Sequence, residues 1–374
     1  MQVSKDILDW LSLAALPGIG CATIHRLLDI FGSPGAVLQA GKAVGGTGVV
    51  RDRAAALFTD SSALDHARCR AEQELTRARQ LNIHLLACSD PRFPPQLREI
   101  RDCPVLLYLR GNPDLFERPM VAVIGSRAAT AYGRRVSARL GAELAGHGIA
   151  VVSGLAAGID SCAHGGCLDV GGATIGVLGC GVDVVYPRSN ASLYEQMTEQ
   201  GLLVSEYPLG TRPEGFRFPA RNRIISGLAR AVVVVEATRK SGSLITTRLA
   251  LDQGRDVFAV PGRIDSAKSE GTHRLIQQGA HLVQSAGDIL EELQLDGLFS
   301  HGRIAPGREK EKMDPDISEQ EQQLLNAVDV YPANIDDLAV KTGMTTALLH
   351  DLLLHLELKG LVRQLPGQQY ERVC

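Results

Sequence analysis

VAVIGSRAATAYGRRVSARLGAELAGHGIAVVSG, Val121–Gly154, decides the fold class of this 374-residue chain. Val121–Gly125 is an unbroken apolar run that ends in glycine. Thr130–Gly148 follows with helical patterning, and Ile149–Gly154 is a second apolar run. Strands buried on both faces read as continuous Val/Ile/Leu stretches, and an intervening helix makes them parallel. The alternation continues downstream. AAGIDSCAHGGCLDVG reads as a helix. Further strands are expected at Thr174–Gly181, Gly201–Pro208, Ala231–Ala237 and Asp256–Gly262, with a short seventh at His281–Gln284. The expected class is α/β, an extended Rossmann-like, doubly wound, mostly parallel sheet.

Working outward on the N-terminal side, Asn82–Arg118 holds short apolar runs interrupted by DPRFPP. Proline and glycine confine these to short or edge strands. Residues 1–80 read as a helical domain. Within them Leu16-Pro17-Gly18-Ile19-Gly20 looks like a helix-hairpin-helix turn, whose glycines let main-chain N–H groups approach a DNA phosphate. A small helical bundle without a ligand is the plainer reading and is preferred.

On the C-terminal side the sheet domain is expected to span 81–298. A charged, proline-containing linker covers 299–315. Residues 316–374 show three helical patterns and a hairpin, an order that resembles a winged helix. Its third helix, expected from Thr345 to Lys359, carries Asp351, Glu357 and several leucines but few cations. Partner binding or packing suits it better than duplex DNA.

Hydrophobic residues make up 45% of the chain and charged residues 22%, an ordinary globular mix. The chain has no apolar run of about 18 residues, so no spanning helix is expected. Its acidic N-terminus is unlike a signal peptide, and a cytoplasmic location is expected. The eight cysteines form no CxxC pair and no metal-ligand spacing, so no metal is expected. Net charge is −3, but its distribution is uneven. Residues 207–263 carry ten Lys+Arg against four Asp+Glu, and residues 299–374 carry eight against twelve. A polyanion is drawn to the first region and repelled by the second.

Loops that follow parallel strands gather at the carboxyl edge of the sheet, where ligands bind. Gly125-Ser126-Arg127 follows the first strand. A glycine and a hydroxyl beside a helix start hold phosphate through N–H groups. Ser153-Gly154 opens the loop after the second strand, and its glycine spacing is not GxGxxG. Tyr186-Pro187-Arg188 adds an aromatic and a cation. Lys240-Ser241-Gly242 precedes a helix after the fifth strand. Between the fourth and fifth strands lies FRFPARNRIISGL, Phe216–Leu228, read here as a basic and aromatic loop. Its arginines suit phosphates, and Phe216 and Phe218 offer faces on which bases stack. Arg221 and Arg223 either face a bound strand or are buried against Asp160 or Glu206.

Catalytic patterns are absent: there is no Walker loop, GxSxG elbow or HExxH. Asp160, His164 and Glu206 lie near the same edge. His164 reads better as a hydrogen-bonded histidine at a helix start, and Asp160 as an N-cap or arginine partner.

VAVIGSR (Val121–Arg127), VVSGLAAGID…AH (Val151–His164), GVLGCGVDVVYPRSN (Gly176–Asn190), SEYPLG (Ser205–Gly210), FPARNRIISGL (Phe218–Leu228) and Val232–Gly262 together resemble the DprA/Smf family, bacterial DNA-processing proteins of natural transformation. The resemblance implies a SAM-like N-terminal domain, a Rossmann-like domain and a winged-helix-like C-terminal domain. It implies a non-enzyme without cofactor that binds single-stranded DNA, forms homodimers through the Rossmann-like domain and loads RecA. Arg127, Arg188, Phe218, Arg221, Arg223 and Lys240 would contact the strand, with Asn222 and the small residues of the same loops beside them. One departure stands at His273, where many members have asparagine. A nucleotide-processing enzyme on a Rossmann-like fold is the alternative, but the glycine-threonine-glutamate signature of the phosphoribohydrolases is missing.

Overall fold

The computed structural model describes residues 5–294, 317–328, 332–365 and 367–372. They divide into two compact units, 5–129 with 137–294, and 317–372 with 130–136.

The first unit opens with helices α1 (Lys5–Ala14), α2 (Cys21–Phe31) and α3 (Ser61–Gln80). The carboxylate of Asp60 caps α3, accepting from Ser62 N and Ala63 N. Trp10, Leu13, Leu27 and Phe58 are buried in the same hydrophobic cluster as Met120, Ala122 and Ile124. Those three share one face of a strand, because side chains alternate along it. The N-terminal helices therefore help to cover one face of the sheet.

That sheet has nine strands: β1 (His84–Ala87), β2 (Leu106–Gly111), β3 (Met120–Ile124), β4 (Ala150–Ser153), β5 (Thr174–Val177), β6 (Leu202–Ser205), β7 (Ala231–Val234), β8 (Asp256–Ala259) and β9 (His281–Leu282). Their spatial order is β1-β2-β6-β5-β4-β3-β7-β8-β9. β3 to β9 are the seven strands expected from the apolar runs, all parallel to one another. β1 and β2, in the proline-broken segment, form an antiparallel edge.

The connecting helices are α4 (Ala131–Gly146), α5 (Ile159–Asp169), α6 (Ala191–Gln200), α7 (Arg217–Leu228), α8 (Ser243–Asp252), α9 (Glu270–Gln277) and α10 (Ala286–Glu292). From β3 the chain steps outward to β4, β5 and β6, then returns along α7 to β7 on the other side of β3. Right-handed crossovers put the helices of the two halves on opposite faces. The reversal between β3 and β7 opens a crevice at the carboxyl ends of the strands. The stretch read as a loop is thus a helix, α7. Its only proline, Pro219, lies in the first turn, where a missing N–H costs nothing.

The second unit contains α11 (Glu319–Ala327), β10 (Ala333–Asn334), α12 (Ile335–Thr342), α13 (Thr346–Leu358), β11 (Val362–Leu365) and β12 (Gln369–Arg372). Its small sheet runs β10-β12-β11. Leu324, Leu338, Leu349, Leu353 and Tyr370 form its own core. The Ser318 hydroxyl and the Glu321 carboxylate form a capping box at the start of α11. The linker expected at 299–315 lies outside the described residues.

Candidate nucleic-acid interface

The loops after β3 and β4 are locked together before any ligand is considered. Gly158 sits at φ +87, and a Cβ there would stand 2.4 Å from the Ser126 carbonyl oxygen. Only glycine permits that approach. Ile159 N donates to Ser126 O at 3.3 Å, so the start of α5 holds the Gly125-Ser126-Arg127 turn. The Lys268 ammonium donates to Ser126 Oγ at 3.3 Å and brings a cation from the loop after β8.

A cleft of about 130 Å³ opens at this edge, lined by Arg127, the 154–157 loop, Gly179, Tyr186, Pro187 and Phe218, with Arg221 beneath. The Phe218 and Tyr186 rings stack with centroids 5.4 Å apart and planes 27° from parallel. The Arg127 guanidinium lies over Phe218 at 5.2 Å. Gly179 leaves room for that ring, since a Cβ would come 2.8 Å from Phe218 Cδ1. The result is a flat aromatic and cationic wall, part of it open to solvent. Arg188 and Lys240 are exposed on neighbouring loops of the edge. Ser241 and Ser243 share a hydroxyl hydrogen bond of 2.8 Å around Gly242, the residue that precedes α8.

Other residues expected at the strand-facing surface have structural duties. Arg221 is only 4% exposed. Its Nη1 donates to the carbonyl oxygens of Gly154 and Val177, and its Nε to Asn222 Oδ1 at 3.2 Å. Burial lowers its pKa to about 10, leaving it charged at neutral pH. Gly154 lies between this guanidinium and Asp160: a Cβ there would meet Arg221 Nη2 at 2.6 Å and Asp160 Oδ2 at 2.8 Å. Arg223 forms an ion pair with Glu206. The Ser153 hydroxyl is fully buried and donates to Val123 O at 2.6 Å, tying β4 to β3. Arg221 is thus buried beside Asp160, and Arg223 is paired with Glu206 at a side-chain exposure of 13%.

The acid/base set is dispersed in the same way. Asp160 is not the N-cap of α5, a place held by Gly158. Its carboxylate accepts from Gly154 N at 3.1 Å and shapes the loop ahead of the helix. Burial raises its pKa, and the Arg221 charge opposes that shift. Burial also raises the Glu206 pKa, against the pull of Arg223. His164 is fully buried within α5 rather than at its start. The Thr174 hydroxyl donates to Val151 O at 2.9 Å, so His164 Nδ1 donates to that hydroxyl at 2.6 Å. Burial, reinforced by Arg221, drives the His164 pKa down to about 3. His273 also holds main chain: its Nε2 lies 3.0 Å from Gly262 O. Lys268 escaped the sequence reading because it stands in no motif and meets Ser126 only through the fold.

Among the described residues no three His, Cys, Asp or Glu side chains are grouped to hold a metal. No described helix is long and apolar enough to cross a membrane.

The family model for DNA recombination-mediator protein A matches residues 84–294, and that for the DprA winged helix domain matches 308–368. The chain belongs to the DNA recombination-mediator protein A family. Within that family it is 39% identical to protein Smf of Synechocystis, over 80% of this chain and 83% of that protein. It is 49% identical to DNA processing protein DprA of Streptococcus pneumoniae over 55% of this chain and 72% of that one. The X-ray structure of the S. pneumoniae DprA superposes with a TM-score of 0.65 at 37% identity, covering 78% of this chain and 99% of that chain. A DprA from Helicobacter pylori, solved for its single-stranded DNA binding mode, gives a TM-score of 0.52 at 31% identity, covering 57% and 96%. The matched region contains the whole carboxyl-edge site, and the chain's place in the family assigns it a role in DNA processing.

Proposed function

We propose that this protein binds single-stranded DNA at the carboxyl edge of its sheet. The observation that carries the reading is the Arg127–Phe218–Tyr186 wall inside the cleft. A base stacks on an aromatic face whatever its identity, and a guanidinium beside it meets the phosphate. Arg188, Lys240 and the Gly125-Ser126 and Ser241-Gly242 turns extend phosphate contacts along the edge. Arg221, Asn222, Arg223, Ser153 and Gly154 set the shape of the cleft from below. The single-stranded DNA binding of the H. pylori relative supports the reading.

On the same basis we propose a recombination mediator without enzymatic activity. It protects incoming DNA during natural transformation in the cytoplasm, works as a homodimer through the sheet domain, and loads RecA. The commitment of Asp160, His164 and Glu206 to internal bonds supports the non-enzymatic part.

The test is salt-titrated binding of an oligo-dT to the full chain and to Arg127→Ala and Lys240→Ala. Each variant should bind more weakly. Its log–log salt slope should fall by roughly 0.7 per lost phosphate contact. Unchanged affinity in both variants would reject the reading, as would mononucleotides that bind as tightly as the oligonucleotide.

A further inference from the structure

Phe216 remains outside the cleft wall, and its setting is unusual. It is 69% exposed, while Arg217 and Phe218 beside it are half-buried. It is not a loose surface ring. The Arg217 guanidinium lies 5.4 Å from its centroid and 5.1 Å from the centroid of Tyr207. The guanidinium is bridged to Glu214 at 3.4 Å and is largely shielded, with a side-chain exposure of 21%. Tyr207 is anchored in turn: its amide donates to the Ser205 hydroxyl at 3.0 Å, and its own hydroxyl to Arg217 O at 3.4 Å. Phe216, Arg217 and Tyr207 thus repeat, with the order of cation and ring changed, the association of Arg127, Phe218 and Tyr186. The two groups diverge from one point, since Phe216 and Phe218 are two residues apart at the start of α7.

We infer that Phe216 is a second base-stacking platform. It receives the nucleotide next to the one held against Phe218, and Arg217 serves as the positioning residue that holds its ring. Single exposed apolar side chains need no explanation, but this ring has a rigid backing and a free outer face. Two helical residues place the Phe216 and Phe218 Cα atoms about 5–6 Å apart with the side chains on different faces, so a strand leaving the cleft over the start of α7 passes from one ring to the other. Sites for single-stranded nucleic acid combine aromatic faces, on which any base stacks, with contributions from neighbouring arginines. This inference rests on the proposed single-stranded DNA binding and extends its path beyond the cleft, towards the loop carrying Tyr207.

The experiment uses the full chain and short oligo-dT. Phe216→Ala should weaken binding by roughly 5- to 150-fold, the range for loss of one stacked base, and leave the salt slope unchanged because no charge is removed. Phe216→Trp should retain affinity and report directly. The only native tryptophan, Trp10, is buried, so oligo-dT should quench the emission of the introduced indole. Unaltered affinity in Phe216→Ala overturns the inference. So does an indole emission in Phe216→Trp that oligo-dT leaves unchanged while binding proceeds. Phe218→Ala separates the two proposals. If it abolishes binding while Phe216→Ala does nothing, the second platform fails and the cleft stands. If neither matters, both fail.

Discussion

Arg127 and Arg221 lie on the same edge of the sheet, yet their environments give them opposite work. Arg127 is exposed, and its guanidinium covers a ring. Arg221 is buried beneath the cleft with its donors on main-chain carbonyls. Nothing in the sequence distinguishes them, because burial is a tertiary property. His164 is the residue whose burial titration exposes most directly. Its folded pKa near 3 lies below the 6.5 of a free imidazole. An unfolded chain takes up the proton that the folded one refuses, so the stability from a neutral His164 is complete above about pH 6.5. It is lost as pH falls towards 3, at up to about 1.4 kcal/mol per pH unit. Asp160 and Glu206, raised by burial, act in the other direction and lose stability as pH rises. Comparison with His164→Asn removes these common contributions, and the asparagine amide retains a donor for Thr174. Denaturant titrations at pH 7.5 and 4.5 should show the wild type losing roughly 2–3 kcal/mol more than the variant. A stability gap independent of pH would refute this account of His164.

At the scale of elements, α4 and α5 cross so closely that two adjacent glycines of α5 should respond in opposite ways to one substitution. A Cβ on Gly166 would lie 2.0 Å from Ala138 O, a backbone atom that cannot turn aside. A Cβ on Gly165 meets nothing within 4 Å. Gly166→Ala must push the helices apart and should cost about 1–3 kcal/mol or more. Gly165→Ala should instead stabilise by about 0.5–1 kcal/mol, because alanine restricts the unfolded chain and favours helix. Thermal melts should therefore move down for the first and up for the second. Equal shifts would show that this crossing does not limit the packing.

The elements themselves were readable to very different degrees. β3 to β8 are apolar runs because both their faces are covered, and that pattern survives without any knowledge of the fold, whereas β9 is a short, exposed edge strand. Proline and glycine marked this segment as short or edge strands for an equally local reason; β1 is the sheet edge, while β2 lies between β1 and β6. α7 was hidden because FRFPARNR has no helical apolar stripe: Arg221 is on its buried side and Phe216 on its exposed side. The cleft itself was half legible. Strand ends named Arg127, Phe218 and Tyr186 as neighbours, since parallel topology alone brings those loops together. Lys268, and the internal roles of Ser153, Arg221 and Arg223, depend on side-chain directions that no spacing encodes.

At the scale of the whole molecule, charge and core are divided between the two units. Residues 207–263 hold the excess of cations, and every residue of the cleft belongs to the first unit. The second unit has a separate core. Residues 317–372 carry four Lys+Arg against eight Asp+Glu. In a winged helix the third helix is the usual reader of duplex DNA, but α13 exposes Asp351, Leu354 and Leu358 rather than a row of cations. Like charge repels a polyanion over a Debye length of about 8–10 Å at moderate salt, so this unit adds little attraction for a phosphate chain. A chain ending at Gln294 should therefore bind oligo-dT within about twofold of the full protein and show the same salt slope, because the proposed phosphate contacts at the sheet edge are all retained. The isolated segment 317–374 should bind neither single strands nor duplex in the same titration. Loss of affinity in the shortened chain accompanied by a shallower slope would place phosphate contacts in the second unit. Tight duplex binding by the isolated segment would make that unit a DNA reader in spite of its charge.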